Sequence, residues 1–159
     1  MVTKTINSTR LDLYRKYVDQ AEGKYPFESR YELFSLAAVL GFLDGTRYTP
    51  QSEDVGYSQD FVKVDDIQDQ DHRSAINFIY NLVAIDLVHD DDEDIEADSD
   101  NLKRTAWTRT KEYADQGLTI LDNELGVQGQ IDLVRLLNNA EDDWPDRTCY
   151  VSSIFDDQQ

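Results

Sequence analysis

The sequence predicts a mainly α-helical fold, a single-domain bundle of about five helices with a minor extended or two-stranded element near residues 47–64. Apolar residues recur at helical spacing in several segments, N-cap residues precede two of them, and stretches rich in glycine, proline or aspartate separate them. A chain of 159 residues is long enough to bury one core. The predicted domain spans residues 1–140. Residues 141–159 are predicted to be a tail that docks on the body or on a partner.

The beginning of the chain is predicted to be a flexible stretch, residues 1–8, followed by an amphipathic helix over residues 9–21. Gly23 ends that helix. Its apolar positions are Leu11, Tyr14, Tyr17 and Val18.

The central helix is predicted within Tyr31–Arg47, a segment too apolar for a surface helix and therefore buried on most sides. Ser29 is its predicted N-cap, with Glu32 three residues later in the pattern of a capping box. Asp44-Gly45 stops the helix with turn chemistry. Arg47 then follows closely enough to reach back to the last carbonyl groups.

Residues 44–70 are the least regular part of the sequence. Phe61–Val64 has the composition of a short strand, with Arg47–Thr49 or Val55–Tyr57 as its partner. The alternative is an ordered loop laid over the helices. A second core helix is predicted from about Asp71 to Val88, capped by Asp69 or Asp71.

The segment Asp90–Asp100 holds eight acidic residues among eleven, which faintly resembles a calcium-binding loop. The glycine that such a loop needs at its sixth position is missing, so a solvated charge run is the better interpretation. The longest helix is predicted next, from Leu102 to about Leu125. Gly117 interrupts it, and a close helix crossing would explain that glycine. A last short helix is predicted at Gln130–Ala140.

Three phrases in the predicted helices carry a family resemblance. They are F-S-L-A-A-V-L-G-F-x-x-G-x-R at Phe34–Arg47, the run Ala75–Ala84, and E-Y-A-x-x-G-L-x-x-L at Glu112–Leu121. In this order and spacing they resemble the Dnd system-associated protein 4 family, found beside DNA phosphorothioation (Dnd) genes, over roughly residues 25–125.

The resemblance implies an accessory role in a defence system that replaces a backbone oxygen of DNA with sulphur. Such systems mark self DNA and restrict invading DNA that lacks the mark. Other proteins of the same system are then the implied partners, and DNA, with or without phosphorothioate, is the implied ligand. The resemblance transfers no catalytic motif to positions of this chain.

The net charge is −18, from 33 acidic and 15 basic residues, and 24 of the acids are aspartate. Three explanations compete: adaptation to a salt-filled cytoplasm, mimicry of DNA phosphates, and cation binding. Dispersal of aspartate over the whole chain, with little lysine, favours the first, because molar salt screens self-repulsion. This predicts a halophilic, haloarchaeal origin and a cytoplasmic protein. Net charge then no longer argues against DNA binding, and a local basic patch becomes the decisive feature.

Several site classes have no signature here. No apolar run is long enough to span a membrane, and no apolar signal region opens the sequence. The single Cys149 and the two dispersed histidines predict no disulfide, no metal site and no Cys–His nucleophile. No phosphate-binding loop or hydrolase motif occurs, so we expect neither a cofactor nor an enzyme.

The start of the longest helix is the candidate site, because basic residues cluster there beside a tryptophan. Two interpretations stay open: local charge balance against Asp90–Asp100, or a phosphate-contacting surface with the tryptophan available to stack or wedge. The predicted DNA-binding residues are Lys103, Arg104, Trp107, Arg109 and Lys111, together with Arg47.

Three functions follow from these observations. The first is a non-enzymatic accessory that binds DNA through the basic patch. The second is a protein–protein adaptor within the defence complex, acting through the apolar tail or the acidic surface and compatible with a homo-oligomer. The third is an acidic DNA mimic that inhibits a DNA-binding enzyme.

Overall fold

The computed structural model describes residues 2–50, 62–89 and 99–128. Three long helices pack around one hydrophobic core, and a short two-stranded ribbon lies against them, which confirms the predicted mainly α-helical fold. In chain order the elements are β1 (Thr5–Ile6), α1 (Leu11–Tyr14), α2 (Arg30–Asp44), β2 (Val62–Lys63), α3 (Gln70–Val88) and α4 (Asp100–Gln128). The predicted helix at 130–140 and the predicted tail lie outside the described residues.

Helix α2 begins and ends where the sequence predicts. The Ser29 side chain accepts a hydrogen bond from the Glu32 backbone N–H at 3.2 Å, and Gly45 ends the helix with φ 76°. The Glu32 carboxylate accepts from the Glu28 backbone N–H at 2.9 Å, one residue before the position of a capping box. The N-cap and the stop are thus confirmed, and the Glu32 carboxylate bonds to Glu28 instead of to the N-cap residue.

The centre of the core is the crossing of α2 and α4, where two glycines let the backbones meet. A β-carbon on Gly41 would overlap the backbone carbonyl of Tyr113, and one on Gly117 would overlap that of Ala37. Each glycine therefore faces the residue one turn before the other glycine. The close crossing predicted for Gly117 is confirmed, and Gly41 is its counterpart on α2.

The first residues are ordered, so the predicted flexible start is wrong. β1 pairs antiparallel with β2, Thr5 opposite Lys63 and Ile6 opposite Val62. Ile6 is fully buried. The predicted partner Arg47–Thr49 is therefore also wrong, and Val55–Tyr57 lies outside the described residues. Burial of Ile6 against the core explains why this distant segment, rather than a neighbouring loop, completes the ribbon.

The first helix is shorter than predicted and changes type. After α1, residues Arg15–Asp19 continue as a π-helical turn, in which the Gln20 N–H donates to the Arg15 carbonyl at 2.8 Å. The chain then reverses through Glu22 and Gly23, both with positive φ. The apolar face assigned from the sequence is buried at Leu11, Tyr14 and Tyr17.

Helix α3 starts one residue before the predicted Asp71 and ends at the predicted Val88. The Asp69 carboxylate accepts from the backbone N–H groups of Asp71 and His72, at 2.9 and 3.1 Å, so Asp69 is the cap. Phe78 and Val88 of this helix are exposed. None of the helices in the described ranges has the length and apolar character that a membrane span requires.

A polar contact joins the π-helical turn to α4. The Tyr17 hydroxyl and the Lys16 ammonium both donate to Asp122 Oδ1, the latter at 3.1 Å. Burial of the phenol and its hydrogen bond to Asp122 raise the pKa of Tyr17 to about 12. The folded state thus stabilises the neutral phenol of Tyr17 relative to the phenolate.

We expect this contact to make stability sensitive to alkali. A raised folded-state pKa gives stabilisation that is present below pH 10, the ordinary tyrosine pKa, and is lost as the pH rises toward 12. The free energy of unfolding of the wild-type protein should fall by roughly 2 kcal/mol more than that of a Tyr17→Phe variant over this range. Chemical denaturation at pH 9 and near pH 12 measures the difference, and parallel losses in the two proteins would contradict it.

Candidate nucleic-acid interface

The basic cluster lies at the start of α4, where Ser99 fixes the helix terminus. The Ser99 hydroxyl accepts a hydrogen bond from the Leu102 backbone N–H at 2.9 Å, as an N-cap does. Lys103 and Arg104 follow in the first turns and are both exposed. Within the described residues, neither side chain forms an ion pair. The alternative interpretation, local charge balance, needs the acidic residues before the helix as partners. Residues 90–98 lie outside the described residues.

The position of these two cations is electrostatically costly for the helix itself. A helix N-terminus carries partial positive charge, so cations there are disfavoured by about 0.3–1 kcal/mol each. Asp100 is the single acidic residue among residues 100–111, against four basic ones. Asp100 lies three residues before Lys103 and four before Arg104, the spacing at which an acid on a helix partly offsets this cost. An anion in front of them would be attracted by the side chains and by the helix terminus together.

Trp107 was expected to be available to stack on a base or wedge between bases, but it is a core residue. Its side chain is only 5% exposed, and its indole N–H donates to the Thr5 carbonyl at 3.1 Å. The ring lies against Phe34 and Tyr80, with centroids 5.8 and 6.2 Å away. A buried tryptophan needs a partner for its N–H, and strand β1 supplies it.

Arg109 and Lys111 are half-buried, and each already interacts with another group of the protein. Arg104 and Lys111 lie seven residues apart, about two helical turns, and so share one face of α4, with Lys103 beside them. From Lys103 to Lys111 the helix rises about 12 Å, which equals the axial rise of three to four base pairs. Arg109 lies farther round the helix.

Arg47 joins α4 from the loop after α2. Its guanidinium lies 3.1 Å from the Glu112 carboxylate, and the Tyr48 backbone N–H donates to the Glu112 carbonyl at 3.2 Å. The expected contact with the last carbonyls of α2 is therefore replaced by an ion pair, because the loop turns back onto α4. Arg47 thus contacts α4 at Glu112, the residue that follows Lys111 and lies about one turn after Arg109.

An open cleft of about 490 Å³ lies where this loop meets α4. Its walls are polar, and the Arg10 guanidinium lies 5.7 Å from the centre of the Tyr48 ring. The lining residues are Gly45, Thr46, Arg47, Tyr48, Thr49, Pro50 and Glu112. The six predicted residues are thus divided into two exposed cations at the start of α4, two half-buried cations farther along it, Arg47 held by Glu112, and a buried tryptophan.

A buried carboxylate, missed at the sequence level, fixes the N-terminal segment along the same helix. Asp115 is fully buried and accepts hydrogen bonds from the Ser8 hydroxyl and from both the backbone N–H and the hydroxyl of Thr9, the last two at 3.1 and 2.6 Å. Arg10 continues the segment by donating to the Thr119 hydroxyl at 3.1 Å. In a chain with 24 aspartates, nothing in the local sequence distinguishes Asp115.

The family model described as DNA sulphur modification system-associated protein 4 matches residues 6–148. The chain belongs to this family. The family is described as associated with a DNA sulphur modification system, which supports the association implied by the three sequence phrases. No curated protein and no solved structure matches the chain.

The match starts in strand β1 and includes both sides of the glycine crossing. Each described residue of the basic cluster also lies within the segment that the family model covers. In the described ranges, no three His, Cys, Asp or Glu side chains are grouped as metal ligands would be.

Proposed function

We propose that this protein is a non-enzymatic accessory of a DNA sulphur modification system that binds the DNA backbone through the start of α4. Lys103 and Arg104 make the first phosphate contacts. Lys111, Arg109 and Arg47 contribute from the following turns by exchanging present partners for phosphate oxygens.

One observation carries the proposal. Four of the fifteen basic residues lie between Lys103 and Lys111, in a chain with a net charge of −18, and two of them, Lys103 and Arg104, are exposed. Contacts to phosphates position a protein on DNA without reading sequence, and basic side chains near a helix N-terminus suit them.

Charge reversal at Arg104 is the direct test. Arg104→Glu should weaken binding to all DNA sequences and reduce the steepness of log K against log salt by about one, because one phosphate contact is lost. Fluorescence anisotropy with labelled duplex measures this from about 0.5 to about 3 M KCl, the range that an acidic, salt-adapted protein calls for. Paired duplexes with and without phosphorothioate show whether sulphur is sensed.

Arg15→Glu is the matched control, since Arg15 is an exposed arginine on the π-helical turn and its replacement changes net charge equally. The control should bind as the wild type does. An identical salt dependence for Arg104→Glu and wild type would remove Arg104 from the interface. A folded wild-type protein that binds no DNA at any salt would overturn the proposal as a whole.

That last outcome would favour an adaptor within the same system. The observation behind this second candidate is the exposure of Phe78 and Val88 on α3, 44% and 40% of each residue. Ten residues separate them, so they lie about 80° apart around α3 and about 15 Å apart along it, and an adaptor surface that includes both extends over nearly three turns of the helix.

A further inference from the structure

The β-ribbon, formed by β1 and β2, brings a lysine from another part of the chain beside the basic start of α4. The Trp107 indole donates to the Thr5 carbonyl, and Thr5 lies opposite Lys63 in the ribbon. The next pair along the ribbon is joined by a hydrogen bond from the Val64 N–H to the Lys4 carbonyl at 2.9 Å. In an antiparallel ladder this alternation turns the Thr5 carbonyl away from β2. The order across the surface is therefore α4, β1, β2.

The Lys63 side chain lies on the solvent face of this ribbon. Ile6 is buried on one face, and neighbouring residues of a strand point to opposite faces, so Thr5 and its partner Lys63 share the other face. Lys63 is exposed and makes no ion pair among the described residues. Lys4, by contrast, is engaged: its ammonium donates to the Asn77 side chain and lies 4.7 Å from the centre of the Tyr80 ring.

Lys63 is separated from the start of α4 by strand β1. Thr5 O lies 3.1 Å from the indole nitrogen, and the Cα atoms of a non-hydrogen-bonded antiparallel pair are about 4.5 Å apart. The Lys63 α-carbon therefore lies up to roughly 10 Å beyond the Trp107 indole, so β2 and the start of α4 are separate parts of one surface. Basic side chains on two separate elements of one surface can contact phosphates of both strands of a duplex.

We infer that Lys63 is a further phosphate contact of the proposed interface, made to the opposite strand of a duplex, and that Trp107 is a positioning residue that holds the β-ribbon in place for it. This inference rests on the proposed function and specifies its ligand as double-stranded DNA. Asp65 and Asp66 follow Lys63 closely, but at molar salt the Debye length is about 3 Å, so direct contacts dominate over neighbouring charges.

The test compares duplex with single-stranded DNA of the same sequence. Lys63→Ala should reduce the steepness of the salt dependence by about one for the duplex and leave single-strand binding unchanged, because the strand that Lys63 contacts is missing from the single-stranded ligand. Lys24→Ala is the matched control, since Lys24 is an exposed lysine elsewhere on the surface. We expect no change from it on either ligand.

Trp107→Phe tests the positioning role, since phenylalanine keeps an aromatic ring in the core but cannot donate to Thr5. Its effect on duplex binding should vanish in the Lys63→Ala background. A loss that persists in that background would mean that Trp107 acts on DNA by another route.

The outcomes separate the two proposals. Wild-type duplex affinity in Lys63→Ala, together with weakened binding in Arg104→Glu, would overturn the inference and leave the proposed function standing. Loss of single-strand and duplex binding to the same extent in Lys63→Ala would also overturn the two-strand contact. Absence of any DNA binding by the wild-type protein would overturn both.

Discussion

Replacing Gly41 with alanine should lower the free energy of unfolding by about 3 kcal/mol, or the melting temperature by roughly 6 to 12 °C for a chain of this size. Inside a helix the same change normally stabilises, by up to about 1 kcal/mol. The sign is reversed here because the new methyl group would overlap the backbone of Tyr113, which no side-chain rotation relieves. The two helices have to move apart, and the packing on both sides of the crossing is lost with them.

Gly117→Ala should cost about as much, since its methyl group meets the backbone of Ala37 in the same way. The control is Gly23→Ala. Gly23 has φ 77° but open space around it, so only the cost of a left-handed alanine remains, about 1 kcal/mol. Chemical denaturation of the three variants separates close packing from backbone conformation. A Gly41→Ala protein as stable as Gly23→Ala would show that the helices are farther apart than described.

Removing the Asp115 carboxylate should have the second largest effect. Asp115→Ala leaves the hydroxyl groups of Ser8 and Thr9 and one backbone N–H without their acceptor in a fully buried site. An unsatisfied buried group costs about 1–3 kcal/mol, so we expect a loss of about 3 kcal/mol in the free energy of unfolding. Hydrogen exchange should accelerate over residues 5–9 before it does in α2, because those residues depend on Asp115 for their place.

A double-mutant cycle with Thr9→Val supplies the control for this prediction. If Asp115 acts through Thr9, the cost of Asp115→Ala should fall by about 1 kcal/mol or more in the Thr9→Val background. Additive effects would show that the two groups stabilise the protein independently. If hydrogen exchange over residues 5–9 is unchanged in Asp115→Ala, Ile6 and the ribbon alone hold the segment in place.

The features that were predicted correctly depend on neighbours in the sequence. The caps at Ser29 and Asp69 follow from side chains that bond to the backbone two or three residues away. The stop at Gly45 follows from its left-handed conformation. Gly117 was a usable signal because a glycine in mid-helix is costly unless close packing requires it.

The features that were missed depend on residues about a hundred positions apart or on elements too short to show a period. A two-residue strand such as β1 has no alternation to detect, and the pairing of Thr5 with Lys63 cannot be read from either segment alone. The same distance explains the error at Trp107. Its neighbours at four-residue spacing are lysines, which pointed toward DNA, whereas its hydrogen-bond partner is the carbonyl of Thr5.

The attachment of the N-terminal segment along α4 also sets an order for folding during synthesis. The contacts Thr5–Trp107, Thr9–Asp115 and Tyr17–Asp122 join residues 102, 106 and 105 positions apart. At about 5–20 residues per second, the ribosome delivers the helix partners roughly 5 to 20 s after the segment itself. The segment therefore waits, without its partners, while about a hundred further residues are made. Such non-local closure is slow compared with helix formation, so these contacts form after the helices that they join.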